Sequence, residues 1–463
     1  MARPMPKPPA TPARVPLPRF QKALYGFGDL LIAIRISSFQ FYLLPFYTDV
    51  VLLAPWLAGI GKMIGLAWDG LNDPVAGYLS DRTRSRLGRR RPFMLGAALP
   101  LGVAYAAIWS APTGVGATVA FAYLVGAFLV LDTAFSLYAT PYMALGAELS
   151  DDYHERTQLA ASRALFHLLG LTLGAAVPGL LLARSASAPS SGFHAIGIGL
   201  GVVMTIVALL TGVLIRERPL AAARAHPMSW RTFFDGTCST FANASFRVLI
   251  ATVACVLLCG GLNQTLVPYA FVYWLGRPQL VSTAPALYLV ASIMSLPFWT
   301  GLSHRVGKDR AMRVCMLWSI VALVLTPVAL APDMGELRFV TFLALAGLGN
   351  GGWMVLLAAL TADVIDADEL ETHTRREGAY FGVWTLAMKW ASAVASGIAG
   401  VALQLLGYVP NQPQSATTIA GIKLLYGPAP ALMMALAFVV FWRFPLTRER
   451  HAEIRAALDA RRG

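Results

Sequence analysis

The amino-acid sequence predicts an all-α protein that crosses a membrane many times. Of its 463 residues, 57% are hydrophobic and only 13% are charged, about half the charged fraction of an average soluble domain. These charges are too few to cover the surfaces of the two or three soluble domains that such a length would form. Disordered, coiled-coil and nucleic-acid-binding proteins are therefore excluded as descriptions of the main body.

Twelve apolar runs are long enough to cross a bilayer, which takes about 20 mostly apolar residues. They lie at 24–47, 55–79, 92–110, 114–146, 159–183, 195–215, 248–275, 281–302, 312–331, 339–362, 379–406 and 424–443. The sequence thus predicts two six-helix halves, 23–215 and 248–443, joined by a basic linker over 216–247. Residues 1–22 hold seven prolines and no acidic residue, so we expect a disordered tail there, and a second tail over 444–463.

The Lys and Arg residues predict the orientation. If the N-terminus is cytoplasmic, the cytoplasmic loops and tails hold 29 of the 37 Lys and Arg residues, and the opposite loops hold four. Because cytoplasmic loops carry the excess of basic residues, both termini are predicted to lie in the cytoplasm, with the spans in an inner (plasma) membrane. The net charge of +13 has the same explanation, and we expect no nucleic-acid partner.

Short motifs recur about half a chain apart. Leu79-Ser80-Asp81-Arg82 follows the second span, and Leu302-Ser303-His304-Arg305 follows the eighth. Glu148 closes the fourth span as Asp363 closes the tenth. Repeated halves are typical of alternating-access transporters, whose sites lie near the midplane between the halves.

A membrane enzyme or a sensor on such a scaffold is the rival class. The seven histidines are scattered, with no spacing suited to a metal-ligand set, and no glycine-rich phosphate loop appears. A sensor usually carries a sizeable soluble domain, whereas both tails here are short. We therefore expect no catalytic residues, no prosthetic cofactor and no metal beyond a monovalent cation.

The loop at Gly77–Arg91 resembles the signature loop of the major facilitator superfamily in its order of glycine, Asp-Arg and basic residues. The resemblance implies the fold of that superfamily and a cytoplasmic gate. The candidate gating residues are Gly77, Asp81, Arg82 and Arg86. The alternative is that these charges only set the topology.

The second span carries Lys62, Asp69 and Asp73, whose spacings of seven and four place them on one helical face. Two carboxylates one turn apart in a low dielectric must share a cation, take up a proton or pair with a base. This predicts a site for Na⁺, Li⁺ or H⁺. The alternative is a structural ion pair with Lys62.

Lys389 interrupts an apolar stretch of the eleventh span and needs a carboxylate partner there. Asp69 or Asp73 is the natural partner across the two halves, so Lys389, with Lys62, is predicted to couple cation release to the state of the cavity. A lysine that merely satisfies a buried acid is the alternative.

Further ionisable and aromatic side chains within the spans are candidates for substrate binding, because each ionisable group there is costly unless it is paired. For Arg163 and the nearby His167, a contact with lipid headgroups or loops is equally plausible, and the aromatics could simply pack. The candidates are Asp29, Arg35, Asp132, Tyr138, Tyr142, Arg163, Trp353 and Trp384.

At these residues the chain resembles the glycoside–pentoside–hexuronide:cation symporters, the melibiose-carrier-like family. The matching segments are Tyr25–Gly28, Tyr47–Val51, Trp68–Pro74, Thr83–Arg86, Ala362–Asp366, Lys389 and Leu406–Asn411.

The resemblance implies that Asp69 and Asp73 are cation-binding acids, that Asn72 and Ser136 lie beside them, and that Lys389 is the site lysine.

The sugar half of the family site is not kept. The two sugar-binding carboxylates fall on Ala33 and Ala139, and a stacking tryptophan falls on Met143. Asp29 and Asp132, on the same helical faces, are possible replacements at another depth. The related sodium-dependent lysophosphatidylcholine symporters keep the acids and the lysine, and an apolar cavity would suit an acyl chain.

We therefore predict a symporter, monomeric in the bilayer, that imports a sugar or glycoside with Na⁺ or H⁺. A lysophospholipid or amphiphile transporter of the same superfamily is the first alternative, and a non-transporting membrane sensor is the second.

Overall fold

The computed structural model describes residues 16–150, 152–185, 188–217, 239–373 and 376–462, and every regular element in these ranges is helical. Most of the predicted N-terminal tail lies outside the described residues. Helix α1 nevertheless begins at Arg19, and the Leu17 N–H donates to Glu155 at 2.7 Å, so the first half begins before residue 23. The middle of the predicted linker, 218–238, also lies outside the described residues.

The first half begins with a helix that is broken at Gly28, which lies between α1 and α2. After α2 the chain continues through two π-helical segments, Phe39–Leu43 and Phe46–Val50. Proline at the first position begins α3, and the Asp152 side chain caps α6 by accepting from the Glu155 N–H. The helices are α1 (Arg19–Phe27), α2 (Asp29–Ser38), α3 (Pro55–Arg82), α4 (Arg91–Ile108), α5 (Ala117–Leu149), α6 (Tyr153–Arg184) and α7 (Pro189–Leu214).

The second half repeats the pattern and adds a helix after the last span. Asn243 caps its first helix by accepting from the Phe246 N–H, and a π-helical segment, Ala270–Trp274, follows that helix. The helices are α8 (Ala244–Tyr269), α9 (Leu280–Met294), α10 (Leu296–Val306), α11 (Lys308–Ala329), α12 (Glu336–Thr372), α13 (Glu377–Leu405), α14 (Ala416–Tyr426), α15 (Pro428–Phe441) and α16 (Arg448–Arg462).

Ten helical stretches in the described residues are long and apolar enough to cross a membrane, with α8 and its π segment, α9 with α10, and α14 with α15 each forming one stretch. The first two predicted spans fall short of this standard. One is the broken helix that begins with α1, and the other is α3, which carries Lys62, Asp69 and Asp73. The first is divided into helices that are each too short to cross a membrane, and α3 carries three charged residues within its apolar stretch.

The two halves meet closely at one end of the bundle. We call the end with the Arg89–Arg91 and Lys308 loops the basic end and the opposite end the far end. At the far end, a Cβ on Gly59 of α3 would lie 2.7 Å from the Ser396 carbonyl oxygen of α13, so only glycine permits this approach. At the basic end, the ion pairs of Arg89 and Arg90 with Glu148 and of Lys308 with Asp363 each lie within one half. We therefore assign the cross-half seal to the far end.

Candidate functional site

Lys389 bridges the two halves at the predicted cation site. Its Nζ lies 2.5 Å from Asp73 Oδ2 and 2.9 Å from Asp69 Oδ2. The Asp69 side chain is only 5% exposed, whereas that of Asp73 is 30% exposed. One ammonium of α13 thus serves two carboxylates of α3, and the deeper carboxylate is closed off from solvent.

Two hydroxyl groups of α5 complete the site, one for each acid. Ser136 Oγ donates to Asp69 Oδ1 at 3.2 Å, and Thr140 Oγ1 donates to Asp73 Oδ1 at 3.2 Å. Ser136 therefore lies where the family resemblance places it. The sequence analysis missed Thr140, although its four-residue spacing from Ser136 matches that of Asp69 and Asp73.

This arrangement has chemical consequences for cation binding. When the two carboxylates and the ammonium are all ionised, the site carries a net charge of about −1. The carboxylate oxygens of Asp69 and Asp73 are ligands suited to a small cation. Charges in a low dielectric interact strongly, so a cation that reaches the acids competes with Lys389 for the same oxygens. In the described residues no group of three His, Cys, Asp or Glu side chains is arranged to hold a metal ion.

The structure does not bring Asn72 or Lys62 to the acids. Asn72 Nδ2 donates to Thr133 Oγ1 of α5 at 3.2 Å and to neither acid in the described contacts. Lys62, 2% exposed, donates instead to the Phe39 carbonyl oxygen at 3.2 Å. The structural ion pair that the sequence allowed between Lys62 and the acids is therefore absent from the described contacts.

Arg35 and Asp132, two predicted substrate residues, pair with each other. Arg35 Nη2 donates to Asp132 Oδ1, and both residues are buried. The guanidinium also lies 4.0 Å from the centre of the Phe135 ring, in the range of a cation–π contact. The pair belongs to the first half and would have to separate before either side chain could bind a solute.

Asp29 and Arg163, two further candidates, meet His167 in a cluster between α2 and α6. Arg163 Nε donates to Asp29 Oδ1 at 3.1 Å, and His167 Nδ1 lies 2.7 Å from Asp29 Oδ2. The Asp29 side chain is 1% exposed, but those of Arg163 and His167 are about one third exposed (35% and 34%). Two side chains of this cluster are therefore partly exposed, unlike those of the Arg35–Asp132 pair.

The predicted aromatic candidates differ in their surroundings. Tyr138 and Tyr142 are fully buried, and their hydroxyls donate to the carbonyl oxygens of Gly28 at 3.2 Å and Tyr25 at 2.6 Å. They thus hold the break between α1 and α2. Trp353 and Trp384 are partly buried against the apolar core of the second half.

The predicted gating residues lie at the basic end. Asp81 pairs with Arg90 at 2.5 Å, and Arg90 also pairs with Glu148 at 2.9 Å. Asp81 therefore reaches the start of the neighbouring helix α4 within its own half.

Gly77, Arg82 and Arg86 take no part in that ion-pair cluster. The Arg82 guanidinium lies over the Tyr78 ring at 4.3 Å, Arg86 is exposed, and a Cβ on Gly77 would make an ordinary 3.5 Å contact with Thr140.

The second half has a matching cluster at the basic end. Lys308 pairs with Asp363 at 2.6 Å, as Arg90 pairs with Glu148. The final helix α16 adds His451, 3.2 Å from Asp363, and Arg455, 3.3 Å from Asp366. The sequence analysis described this helix only as a tail.

Residues 24–448 match the family described as MFS/sugar transport protein. The chain belongs to this family. Among its relatives, the glucuronide carrier protein homolog of Escherichia coli is 26% identical over 95% of both chains. The sodium-dependent lysophosphatidylcholine symporter 1-B of Danio rerio is 25% identical over 95% of this chain and 90% of the relative.

A solved bacterial homologue of the human lysosomal transporter Spinster, in an inward-facing and occupied conformation, superposes with a TM-score of 0.66. The match covers 91% of this chain and 95% of that structure at 12% identity, which shows the fold. The family membership confirms the resemblance to sugar symporters, the all-α major facilitator fold and the prediction of a transporter rather than an enzyme. The protein is thus a multi-pass membrane transporter for a small molecule.

Proposed function

We propose that this transporter imports a sugar or glycoside together with one Na⁺ or H⁺. The observation that carries the proposal is the bridge from Lys389 to both Asp69 and Asp73 across the two halves. The similarity to a glucuronide carrier protein homolog supports a sugar derivative as the solute. Asp29 and Arg163 are the proposed substrate contacts, because their cluster is partly exposed.

The coupling follows from competition for the two carboxylates. A cation bound between Asp69 and Asp73 displaces Lys389 and so breaks the bridge that this lysine makes between the two halves. Loss of the bridge favours the substrate-loaded state. When the cation leaves, the ammonium returns to the acids and neutralises them for the return step. An unpaired charge at this depth would cost several kcal/mol, so the empty carrier needs the lysine.

The driving force is sufficient for accumulation. One elementary charge that crosses about 100 mV supplies roughly 2.3 kcal/mol. Since about 1.4 kcal/mol corresponds to a factor of ten, one cation supports roughly 50-fold accumulation of a neutral solute.

We propose that the protein lies in an inner or plasma membrane and that its basic end faces the cytoplasm. The excess of Lys and Arg in the loops at this end supports that orientation. With the cross-half contacts at the far end, the described conformation corresponds to an inward-facing carrier, from which cation and solute leave to the cytoplasm.

The decisive variant is Asp73→Asn, which keeps the side-chain shape but removes one of the two charges. We expect loss of cation-driven accumulation in proteoliposomes, with exchange of unlabelled for labelled solute retained. Asp333→Asn is the matched control, because Asp333 is exposed between α11 and α12. Undiminished uphill transport by Asp73→Asn would remove the proposed coupling site.

The second candidate function is transport of a lysophospholipid. Ala33 and Ala139 stand where the family has sugar-binding carboxylates, Met143 is 45% exposed, and a lysophosphatidylcholine symporter is among the relatives. Thermal stabilisation against glycosides, hexuronides, pentosides and lysophospholipids, with and without Na⁺ at two pH values, separates the two. A ligand at 100 times its Kd adds about 2.7 kcal/mol. Stabilisation by lysolipids but by no sugar would replace the first proposal.

A further inference from the structure

A second polar group shared by the two halves lies at the far end, away from Lys389. Asp49, in the π-helical segment Phe46–Val50, accepts hydrogen bonds from two tyrosines of the second half. Tyr408 Oη donates to its Oδ1 at 2.6 Å, and Tyr273 Oη donates to its Oδ2 at 2.9 Å. The two phenol oxygens are 2.8 Å apart. Both oxygens of one first-half carboxylate are therefore bonded to the second half.

Asn411 extends the group to the backbone. Its Nδ2 donates to the Asp49 carbonyl oxygen at 2.6 Å, and its N–H donates to Tyr273 Oη at 3.3 Å. Asn411 has φ +57°, a left-handed conformation that asparagine tolerates better than most residues. The backbone conformation of the turn after α13 thus places the Asn411 side-chain amide against the first half.

The chemistry of the group suits a contact that breaks repeatedly. In the described contacts Asp49 pairs with no Lys, Arg or His, and its donors are neutral hydroxyl groups. When the far end separates, water can replace each donor, so the loss per bond is modest. A buried ion pair at the same place would leave a charge unpaired and cost far more to open.

We propose that Asp49, Tyr273, Tyr408 and Asn411 form a far-end latch, which holds the transporter closed to the outside and must open in every cycle. The latch sets the balance between inward-facing and outward-facing forms. Weakening it raises the population of the outward-facing form without touching the cation site.

The test measures how often the far end opens. Thr265 is 1% exposed and receives a hydrogen bond from Gln40 of the other half at 3.3 Å, so Thr265→Cys reports on separation of the halves at this end. The background replaces Cys238, Cys255, Cys259 and Cys315. Labelling from outside with a membrane-impermeant maleimide should be about three- to tenfold faster in Tyr408→Phe, the effect of one hydrogen bond, and faster still when Tyr273→Phe is added to it.

Tyr47→Phe is the matched control, because the Tyr47 hydroxyl donates to the Ile108 carbonyl oxygen within the first half at 3.0 Å. It should label at the parent rate. Tyr273→Phe alone provides a second latch variant if the double variant folds poorly, as judged by its Tm. Parent rates in both tyrosine variants would overturn the latch. Because labelling needs neither solute nor cation, the result does not depend on the proposed sugar symport.

Discussion

The two halves share one architecture but differ in where their charges lie. The first half buries Asp29, Arg35, Lys62, Asp69 and Asp132, and of these Asp69 receives an ammonium from the other half. The described second half contributes Lys389 to the site. Its buried acids lie at the basic end, with Asp309 at the start of α11 and Asp363, Asp366 and Asp368 near the end of α12.

In the proposed symport, this difference gives the two halves separate roles. One half carries the acids that would hold the cation, while the other presents the counter-charge Lys389, which moves with that half. A rocking motion between the halves would therefore change the electrostatic state of the acids, even if neither half deforms. In this proposal the repeated fold supplies the motion, and the asymmetric charges supply the coupling.

The largest effect on stability and cation affinity together is expected from removing Lys389, the side chain that the second half contributes to the site. Lys389→Met leaves Asp69 and Asp73 without their base, and removal of one partner of a buried pair costs about 3–5 kcal/mol. The Tm in cation-free buffer should fall, and the apparent cation affinity should rise by about tenfold or more as the competitor is lost. Thermal shift against NaCl at two pH values measures both.

Lys423→Met is the control for Lys389→Met, since Lys423 lies at the far end beside the Trp274 ring. A Lys389→Met protein with the parent Tm and the parent Na⁺ dependence would contradict the division of roles.

A comparable loss of stability, but no gain in cation affinity, is expected from breaking the Arg35–Asp132 ion pair within the first half. Asp132→Leu leaves the buried Arg35 unpaired and should destabilise by about 3–5 kcal/mol, whereas Arg35→Met with Asp132→Leu should restore most of the loss. Tm values of the single and double variants complete the cycle. The double variant should still be stabilised by the coupling cation. Loss of solute stabilisation in a well-folded double variant would instead return both residues to the substrate site.

The smallest effect concerns the contact that the halves share at the far end. Asp49 lies beyond the first predicted span, and burial raises its pKa above the usual value, although the hydroxyl groups of Thr48, Tyr408 and Tyr273 that donate to it offset part of the rise. The carboxyl returns to its ordinary pKa when the far end opens, so the closed form binds the proton more tightly. Closure should therefore strengthen as the outside pH falls through the raised pKa toward the ordinary value of about 4.

The measurement is the labelling rate of Thr265→Cys at outside pH 5 to 8, divided by the rate in the same background with Asp49→Asn. The ratio cancels the pH dependence of thiol reactivity. We expect this ratio of labelling rates to decrease as the outside pH is lowered. A constant ratio would show that Asp49 does not titrate with closure.

The meeting of Asp69, Asp73 and Lys389 was predictable because charges inside a membrane must be paired, and the family resemblance supplied the alignment. Helical geometry accounts for the contact of Asn72 with Thr133 rather than with the acids, since three residues rotate it about 60° away from Asp69. Lys62 does lie on the face of the acids, but seven residues separate it by about 10 Å along the axis. A carbonyl at the start of a π-helical segment is nearer, and no pattern in the sequence indicated that segment.

The Arg35–Asp132 pair was beyond sequence reasoning for a different reason. Each residue needed a partner of opposite charge, but which partner it finds depends on how α2 and α5 pack against each other. Residue spacing within one helix carries no information about that packing. The same holds for Thr140 and Asn411, which are ordinary polar residues until packing brings a carboxylate beside them.

The docking of α16 also bears on biogenesis. Ile454 and Leu458 are buried in the core of the second half, and His451 and Arg455 contact the acids at the end of α12. A nascent chain in which α16 is still inside the ribosome lacks all of these contacts. The second half can therefore reach its final packing only after α16 has emerged, although all of its membrane-spanning helices are synthesised earlier.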